Sequence, residues 1–470
     1  MREPKPAVAL LARGLLTAAL LLAAFGVRAG AVLTTLYSFI GGDDGGFPLA
    51  PLVEITGGDL YGTTVGGGVN GQGAIFKITR DGVLTPLYSF GSVTDTNGNL
   101  LDGAFPQAGL ALGADGSLYG TTLYGGTNDS GVVFKISMDG ALTTLHFFNG
   151  GGDGSGPNGL VQGIDRDFYG TTLSGGANGN DSGTVFKIST NGAFATLYSF
   201  TGGGDGGAPL AALVQGSDGN FYGTTASGAG TVFQINTSGT LTTLYTFTGR
   251  DLHGLPSAAL VEGADGYFYG TTAMGGLAKM GSVFRISTNG ALAPLYSFKG
   301  SGDGATPNGL VRGSDGFFYG TALHGGAYDG TTAGMYEQGT LFKIGANGVL
   351  SSLYDFTGGD AGGSPSTALI QGSDGRFYGT TLYGGAASQG TVFRLAIEPE
   401  FQSAILANGT MNLTWSTEAG GTYQLQANSE LGSTNWANVG GPLTAAGSTL
   451  SVTNVVASGV TLFYRVAILP

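Results

Sequence analysis

The sequence predicts an all-β chain: a seven-bladed β-propeller closed by its N-terminal strand, followed by a small β-sandwich. Three observations lead there. Four short strings recur seven times in one order, each string has strand composition between turn residues, and the two ends of the array are offset by one string.

The first string has the form Ala-Leu-Val-Gln-Gly and is clearest over 212–216. The second, Tyr-Gly-Thr-Thr, begins at Tyr61, Tyr119, Tyr169, Tyr222, Tyr269 and Tyr378, with Ala in its fourth place after Tyr319. The third, Gly-Thr-Val-Phe-Lys-Ile or close to it, begins at Gly73, Gly131, Gly183, Gly230, Gly281, Gly339 and Gly390. The fourth, near Leu-Tyr-Ser-Phe, begins at Leu36, Leu87, Leu145, Leu197, Leu244, Leu295 and Leu353.

Ser217-Asp218-Gly219 separates the first and second strings, and Thr190-Asn191-Gly192 the third and fourth. Asp-Gly and Asn-Gly tolerate positive φ, so both read as hairpin turns. Four antiparallel strands in about fifty residues make one propeller blade. Segment 211–214 is apolar on both faces and reads as an inner strand covered by neighbouring blades. The Gly after each Tyr of the second string is expected to admit a neighbouring backbone.

The ends of the array decide between closed and open forms. A lone copy of the fourth string, Leu33 to Phe39, precedes the first repeat, and none follows Leu395. If that string is the outer strand, the N-terminal copy completes the last blade. An open solenoid needs dissimilar capping repeats, and none is present in the sequence. Gly-Gly-Asp-Gly runs at 151–154 and 203–206 have a calcium β-roll flavour, but they never follow one another at nine residues.

Taken together, the four strings over residues 33–395 resemble the GloVer tandem-repeat family of bacterial exported proteins, the "choice-of-anchor" group. Their order is also similar to NHL-type propeller repeats. The resemblance implies an exported repeat protein, often joined to a C-terminal surface-association module, and brings no catalytic residues with it.

The repeat stops at Leu395. Alternating segments at 411–415, 422–426, 449–452 and 463–466 predict a sandwich over residues 398–470, with Trp415 and Trp436 in its core. This unit resembles the C-terminal domains of many exported bacterial proteins. The propeller is assigned to residues 30–397.

Residues 1–29 read as a signal peptide. Arg2, Lys5 and Arg13 precede an apolar run from Leu15 to Phe25, which is too short to span a bilayer. The expected location is therefore extracellular, cell-surface or periplasmic, with no transmembrane segment in the mature chain. The net charge of −13 argues against nucleic acid as a partner. With no cysteine, thiolate catalysis and Cys-based metal sites are excluded. No cofactor or metal is called for.

Functional residues are sought in departures from the repeat, since what all seven copies share is explained by construction. On that ground Asp251 and His253, in one atypical loop, are candidate ligand-binding residues. So are His324, Tyr328, Asp329, Tyr336 and Glu337, in an enlarged one. Segment 92–103 enlarges another loop. Glu54, Gln162, Gln215, Glu262, Arg312 and Gln371 end the first strings and are candidates for a channel mouth. Asp43, Asp153, Asp205, Asp303 and Asp360 are read as equivalent loop residues engaged in Asx-turns.

The expected function is a binding scaffold for an extracellular glycan or surface protein, not an enzyme. The alternative is a polysaccharide lyase or glycoside hydrolase. The sequence contains no G-x-S-x-G nucleophile motif and no paired-His metal spacing.

Overall fold

The computed structural model describes residues 31–179, 181–228, 230–247, 254–300, 302–326, 338–399, 401–407, 410–417, 420–429, 435–455 and 462–469. Over these residues the chain is all-β. Its one helical turn among them is a short 3-10 segment, Gly359–Ala361.

The fourth repeat shows the common plan. Val214–Gln215, Phe221–Thr225, Thr231–Ile235 and Leu241–Thr246 pair in chain order as an antiparallel sheet. Tyr222 lies opposite Gln234 and Gly223 opposite Phe233, and a bulge follows Val232. The second strand is buried throughout, whereas the fourth is half-exposed. Strands covered on both faces explain why the second and third strings show no strict apolar–polar alternation, and their buried threonines are hydrogen-bonded.

The inner strand is shorter than the sequence suggests. Only Val214 and Gln215 pair; the carbonyl of Ala211 before them turns to the preceding repeat and accepts the hydroxyl of Thr171 at 3.2 Å. The Gly of the second string also has a different reason from the one expected. A Cβ on Gly223 would lie 2.5 Å from Phe233 Cζ and 2.7 Å from Leu213 Cδ2, both in its own repeat. It makes room for a ring, not for a neighbouring backbone.

The repeat region contains seven such antiparallel sheets among the described residues, six of four strands and one of five. The sheet of the last repeat takes its outer strand from the other end of the chain. Ala31–Ser38 pairs antiparallel with Thr391–Ile397, Leu33 opposite Leu395 and Thr34 opposite Arg394.

Each core cluster in this region joins two successive repeats. Tyr222, Val232, Phe247 and Leu260 pack with Phe268, Phe284 and Ile286. Another cluster puts Phe39, Tyr378 and Val392 against Leu52, Leu60, Phe76 and Ile78, joining the last repeat to the first.

Hydrogen bonds repeat this order. The first Thr after Tyr-Gly donates to a carbonyl of the following repeat in every copy. The pairs run Thr63 to Ala108, Thr121 to Asn158, Thr171 to Ala211, Thr224 to Ala258, Thr271 to Asn308 and Thr321 to Thr367. Thr380 of the last repeat then donates to Pro48 of the first.

Beyond residue 400 two further sheets form. One orders Phe401–Ala407, Thr410–Ser416 and Thr449–Val455; the other is built on Thr422–Asn428 and Phe463–Leu469. Their core contains Met411, Leu413, Trp415, Tyr423, Leu425, Tyr464 and Val466. Trp415 is fully buried, as expected, but Trp436 is not a core residue. It is half-buried, with the Arg465 guanidinium 4.6 Å from its ring. Arg376, in a turn of the last repeat, reaches the Leu469 carbonyl at 2.7 Å.

Candidate binding site

The turns of the first hairpins, Asp-Gly in five repeats and Asp165-Arg166 in the third, carry a recurring polar group. Asp115, Asp165, Asp218, Asp265, Asp315 and Asp374 each accept the hydroxyl of the Tyr four residues on, at 2.7–2.9 Å. Lys135, Lys187 and Lys343 add ion pairs to three of these carboxylates. Burial, reinforced by the hydrogen bond to Asp, pushes Tyr169 and Tyr269 up to about 12. Burial works against ionised Asp115, but the hydrogen bonds from Lys135 and Tyr119 outweigh it and hold the carboxyl below its usual range.

The channel-mouth candidates lie beside these turns, and five of them are engaged between repeats. Gln162 accepts the Ala114 N–H at 2.9 Å, Gln215 that of Ile164 at 3.0 Å, and Glu262 that of Ser217 at 3.0 Å. Gln371 accepts from Ser314 at 2.8 Å, and Glu54 from Ser373 at 2.7 Å. In each case the acceptor follows the donor by one repeat, with the first repeat following the last. Arg312 has no acceptor atom to offer and is exposed. Glu54 also pairs with Arg80, whose side chain reaches Ser373 Oγ. These side chains clasp neighbouring repeats.

The loops after the second and fourth strings meet each other at the other end of the sheets. There a second Tyr–Asp contact recurs: Tyr37–Asp44 at 3.1 Å, Tyr88–Asp102 at 2.8 Å, Tyr198–Asp205 at 2.9 Å and Tyr296–Asp303 at 2.8 Å. The same carboxylates accept backbone N–H groups of Ile40, Ser92, Thr201 and Lys299. Asp44, not Asp43, is thus the residue equivalent to Asp205. Asp360 departs from the set, contributing its carbonyl to Thr35 Oγ1.

The enlarged segment 92–103 folds on itself. Asp95 caps the N–H groups of Asn97 and Asn99, and Asp102 restores the Tyr contact. His146 replaces Tyr in the second repeat and sits 3.1 Å from Asp153, stacked on Phe194 of the third. Among the described residues no group of three or more His, Asp or Glu is placed to hold a metal ion.

Of the loop candidates, His324 ends the strand Phe318–His324 opposite Ala305 and is half-buried. Asp251, His253, Tyr328, Asp329, Tyr336 and Glu337 lie outside the described residues.

The loop face also carries a feature that the sequence reading passed over. Tyr124 and Tyr383 are 47% and 51% exposed, in contrast to the tyrosines locked by Asp. Both follow the Leu after Tyr-Gly-Thr-Thr, where the other repeats have Gly66, Ser174, Ser227, Met274 and His324. Tyr383 meets Phe47 edge-on at 6.1 Å, and Tyr124 meets Phe105 at 6.0 Å. The Phe47 ring lies over Gly66, within 2.9 Å of where a Cβ would stand.

Local backbone geometry fixes both phenylalanines. Phe47 and Phe105 have φ of +57° and +55°, and each N–H binds a carbonyl of the preceding repeat, Gln389 or Gln72. A left-handed aromatic residue is unfavourable unless its surroundings enforce it. Ala208, Thr306 and Ser364 share the conformation, so the turn belongs to the repeat and only the side chain is particular to these two copies. The signal in the sequence was this single variable position, not an insertion.

A profile of the Gloeobacter/Verrucomicrobia repeat matches residues 93–259, 180–333 and 256–424, which is most of the chain. The chain belongs to the Gloeobacter/Verrucomicrobia repeat family. No curated protein matches this Gloeobacter/Verrucomicrobia repeat chain.

Among solved structures it is similar to a luciferin-regenerating enzyme, at 10% identity and a TM-score of 0.42 over 78% of this chain and 95% of that one. It is also similar to the extracellular domain of a putative one-component system from B. thetaiotaomicron, at 10% identity and 0.48, over 94% of this chain and 57% of that one. A gluconolactonase from Xanthomonas campestris follows at 14% identity and 0.40, over 84% and 100%. Likenesses this distant assign no activity to the Gloeobacter/Verrucomicrobia repeat chain. No helix among its described residues is long and apolar enough to cross a membrane.

Proposed function

We propose that the chain is an exported, non-catalytic binding scaffold: a seven-bladed propeller closed by its own N-terminal strand, with a C-terminal sandwich. Its loop face meets the ligand. Residues 1–29 direct export and lie outside the described residues. Closure is supported by the cycle of Thr-to-carbonyl hydrogen bonds, which returns from Thr380 to Pro48. It is supported equally by the pairing of Ala31–Ser38 with Thr391–Ile397.

The observation that carries the binding reading is the contrast among tyrosines. Six on the turn face, such as Tyr169, and four in the outer strands, such as Tyr198, are bound to carboxylates, whereas Tyr124 and Tyr383 stand half out of the loop face. Rigid, exposed aromatic side chains on a fixed scaffold are economical recognition elements, because little rotamer freedom is lost on contact.

The test is a screen of the chain against arrayed extracellular glycans and surface-protein fragments, with product analysis of every hit. Saturable binding with the ligand recovered intact is expected. Ligand cleavage would contradict the scaffold reading and favour the lyase or hydrolase.

A further inference from the structure

We propose that Tyr383, Phe47, Phe105 and Tyr124 form a strip that binds a neutral oligosaccharide chain across the last, first and second repeats. The inference rests on the scaffold reading and names its ligand class.

Four observations carry it. First, the strip offers exposed aromatic surface: its two tyrosines are 47% and 51% exposed. Aromatic faces and edges pack against the C–H faces of sugar rings, and the phenol hydroxyl adds a hydrogen-bonding tip. Second, the strip is pre-organised. The isolated bridges Ala104–Tyr124 and Gly363–Tyr383 hold the tyrosine backbones, and the left-handed turns of Phe47 and Phe105 hold the rings beside them. A site fixed in advance loses less entropy on binding.

Third, the surroundings are uncharged in the relevant sense. Segments 40–50, 64–73, 90–109, 122–131 and 381–390 contain no Lys, Arg or His. Of their carboxylates, Asp44 and Asp102 are buried on tyrosines, Asp95 caps its own turn, Asp129 accepts the Gly125 N–H, and Asp43 is exposed. A phosphate, sulfate or uronate would find no cation here, and a basic peptide would find few free acids. The groups left for a ligand are amides and hydroxyls, such as exposed Gln107.

Fourth, the strip is long. Tyr383 and Tyr124 lie two sheets apart, a span on the order of 20 Å at the usual spacing of packed sheets. Between them Gly66 stands where each has its side chain, so the middle is covered only by the Phe47 ring. That length suits a chain of several sugars and exceeds a single one.

The experiment is native affinity electrophoresis of the full chain in gels containing hydroxyethyl cellulose, xylan or galactomannan, with polygalacturonate and dextran sulfate as anionic counterparts. At least one neutral polysaccharide is expected to retard the protein. Tyr124→Ala and Tyr383→Ala should each weaken the apparent affinity roughly tenfold, as expected for an aromatic anchor, and together abolish retardation. Tyr→Trp at either position should keep it. Unchanged circular dichroism and melting would verify that the alanine variants fold.

Retardation by the anionic polymers alone, by no neutral polymer, or equally by the double-alanine variant would overturn the assignment. If the double variant still binds but replacement of 327–337 with a Gly-Ser linker abolishes binding, this site is wrong while the scaffold reading stands. Sugar release from the retarding polymer would instead remove the scaffold reading.

Discussion

The Glu54 carboxylate accepts the backbone N–H of Ser373 at 2.7 Å, although 319 positions separate them. The same contact joins Gln215 to Ile164 and Gln162 to Ala114, where only about one repeat intervenes. At the proposed seam the chain therefore uses its ordinary inter-repeat joint, strengthened by Arg80.

Replacing Glu54 with Ala removes the acceptor for Ser373 and the partner of Arg80. Both groups are reached by water, so the loss is that of an ordinary hydrogen bond, about 0.5–1.5 kcal/mol. Melting curves should show Glu54→Ala at least as destabilised as Gln215→Ala. Arg312→Ala, at a junction without this clasp, should stay within roughly 0.5 kcal/mol of the parent. A neutral Glu54→Ala would mean that the seam contributes nothing.

Alkali should unfold the protein over a defined window. Burial raises Tyr169, Tyr198, Tyr269 and Tyr296 to about 12, each helped by an Asp. Tyrosine ionises near 10 when unfolded. The folded state thus holds its protons more tightly, and this stabilisation is complete below about pH 10 and lost as pH rises through about 12. Tyrosinate absorbance should rise together with loss of the β circular dichroism. Full ionisation of these tyrosines with the fold intact would contradict the Tyr–Asp contacts.

In the second repeat acid should act through His146. Burial lowers its pKa against the opposing effect of Asp153, so the folded state prefers the neutral ring. Stability from this group is present above the unfolded value of about 6.5 and is lost as pH falls below it. His146→Tyr restores the residue of the other repeats and should remove that acid-dependent part of the melting temperature. Parallel pH profiles for parent and variant would refute the role.

Gly223→Ala should destabilise by about 1–3 kcal/mol, the usual cost of overpacking, because its Cβ would strike Phe233 Cζ. Phe233→Leu in the same chain should recover part of that loss. No recovery would mean that Gly223 is required for some other contact.

Strand order, the roles of the four strings and the partner of segment 33–39 could all be read from composition and from the offset ends. The inner strand could not, because nothing in Ala211-Ala212-Leu213 says that a carbonyl will serve the neighbouring repeat. Sequence does not separate Asp43 from Asp44, because loop length varies between copies and only the contact with Tyr37 sets the register. Glu54 and Gln215 looked like polar groups awaiting a ligand, since a sequence does not show the N–H of another repeat. Tyr124 and Tyr383 are not legible in the sequence, because a single substituted position has no insertion to mark it and exposure of one side chain depends on how neighbouring loops meet.

The central claim, closure by the N-terminal strand, has a direct chemical test because the chain contains no cysteine. Thr34 and Arg394 are opposite partners in the antiparallel pair, a geometry with Cα atoms about 4.5–5.5 Å apart and within reach of a disulfide. In a Thr34→Cys, Arg394→Cys chain, mild oxidation should give an intramolecular cross-link in the monomer, detected by faster migration on a non-reducing gel and by loss of titratable thiol. Persistent free thiols, or cross-links only between molecules, would show that the two ends of the array do not meet.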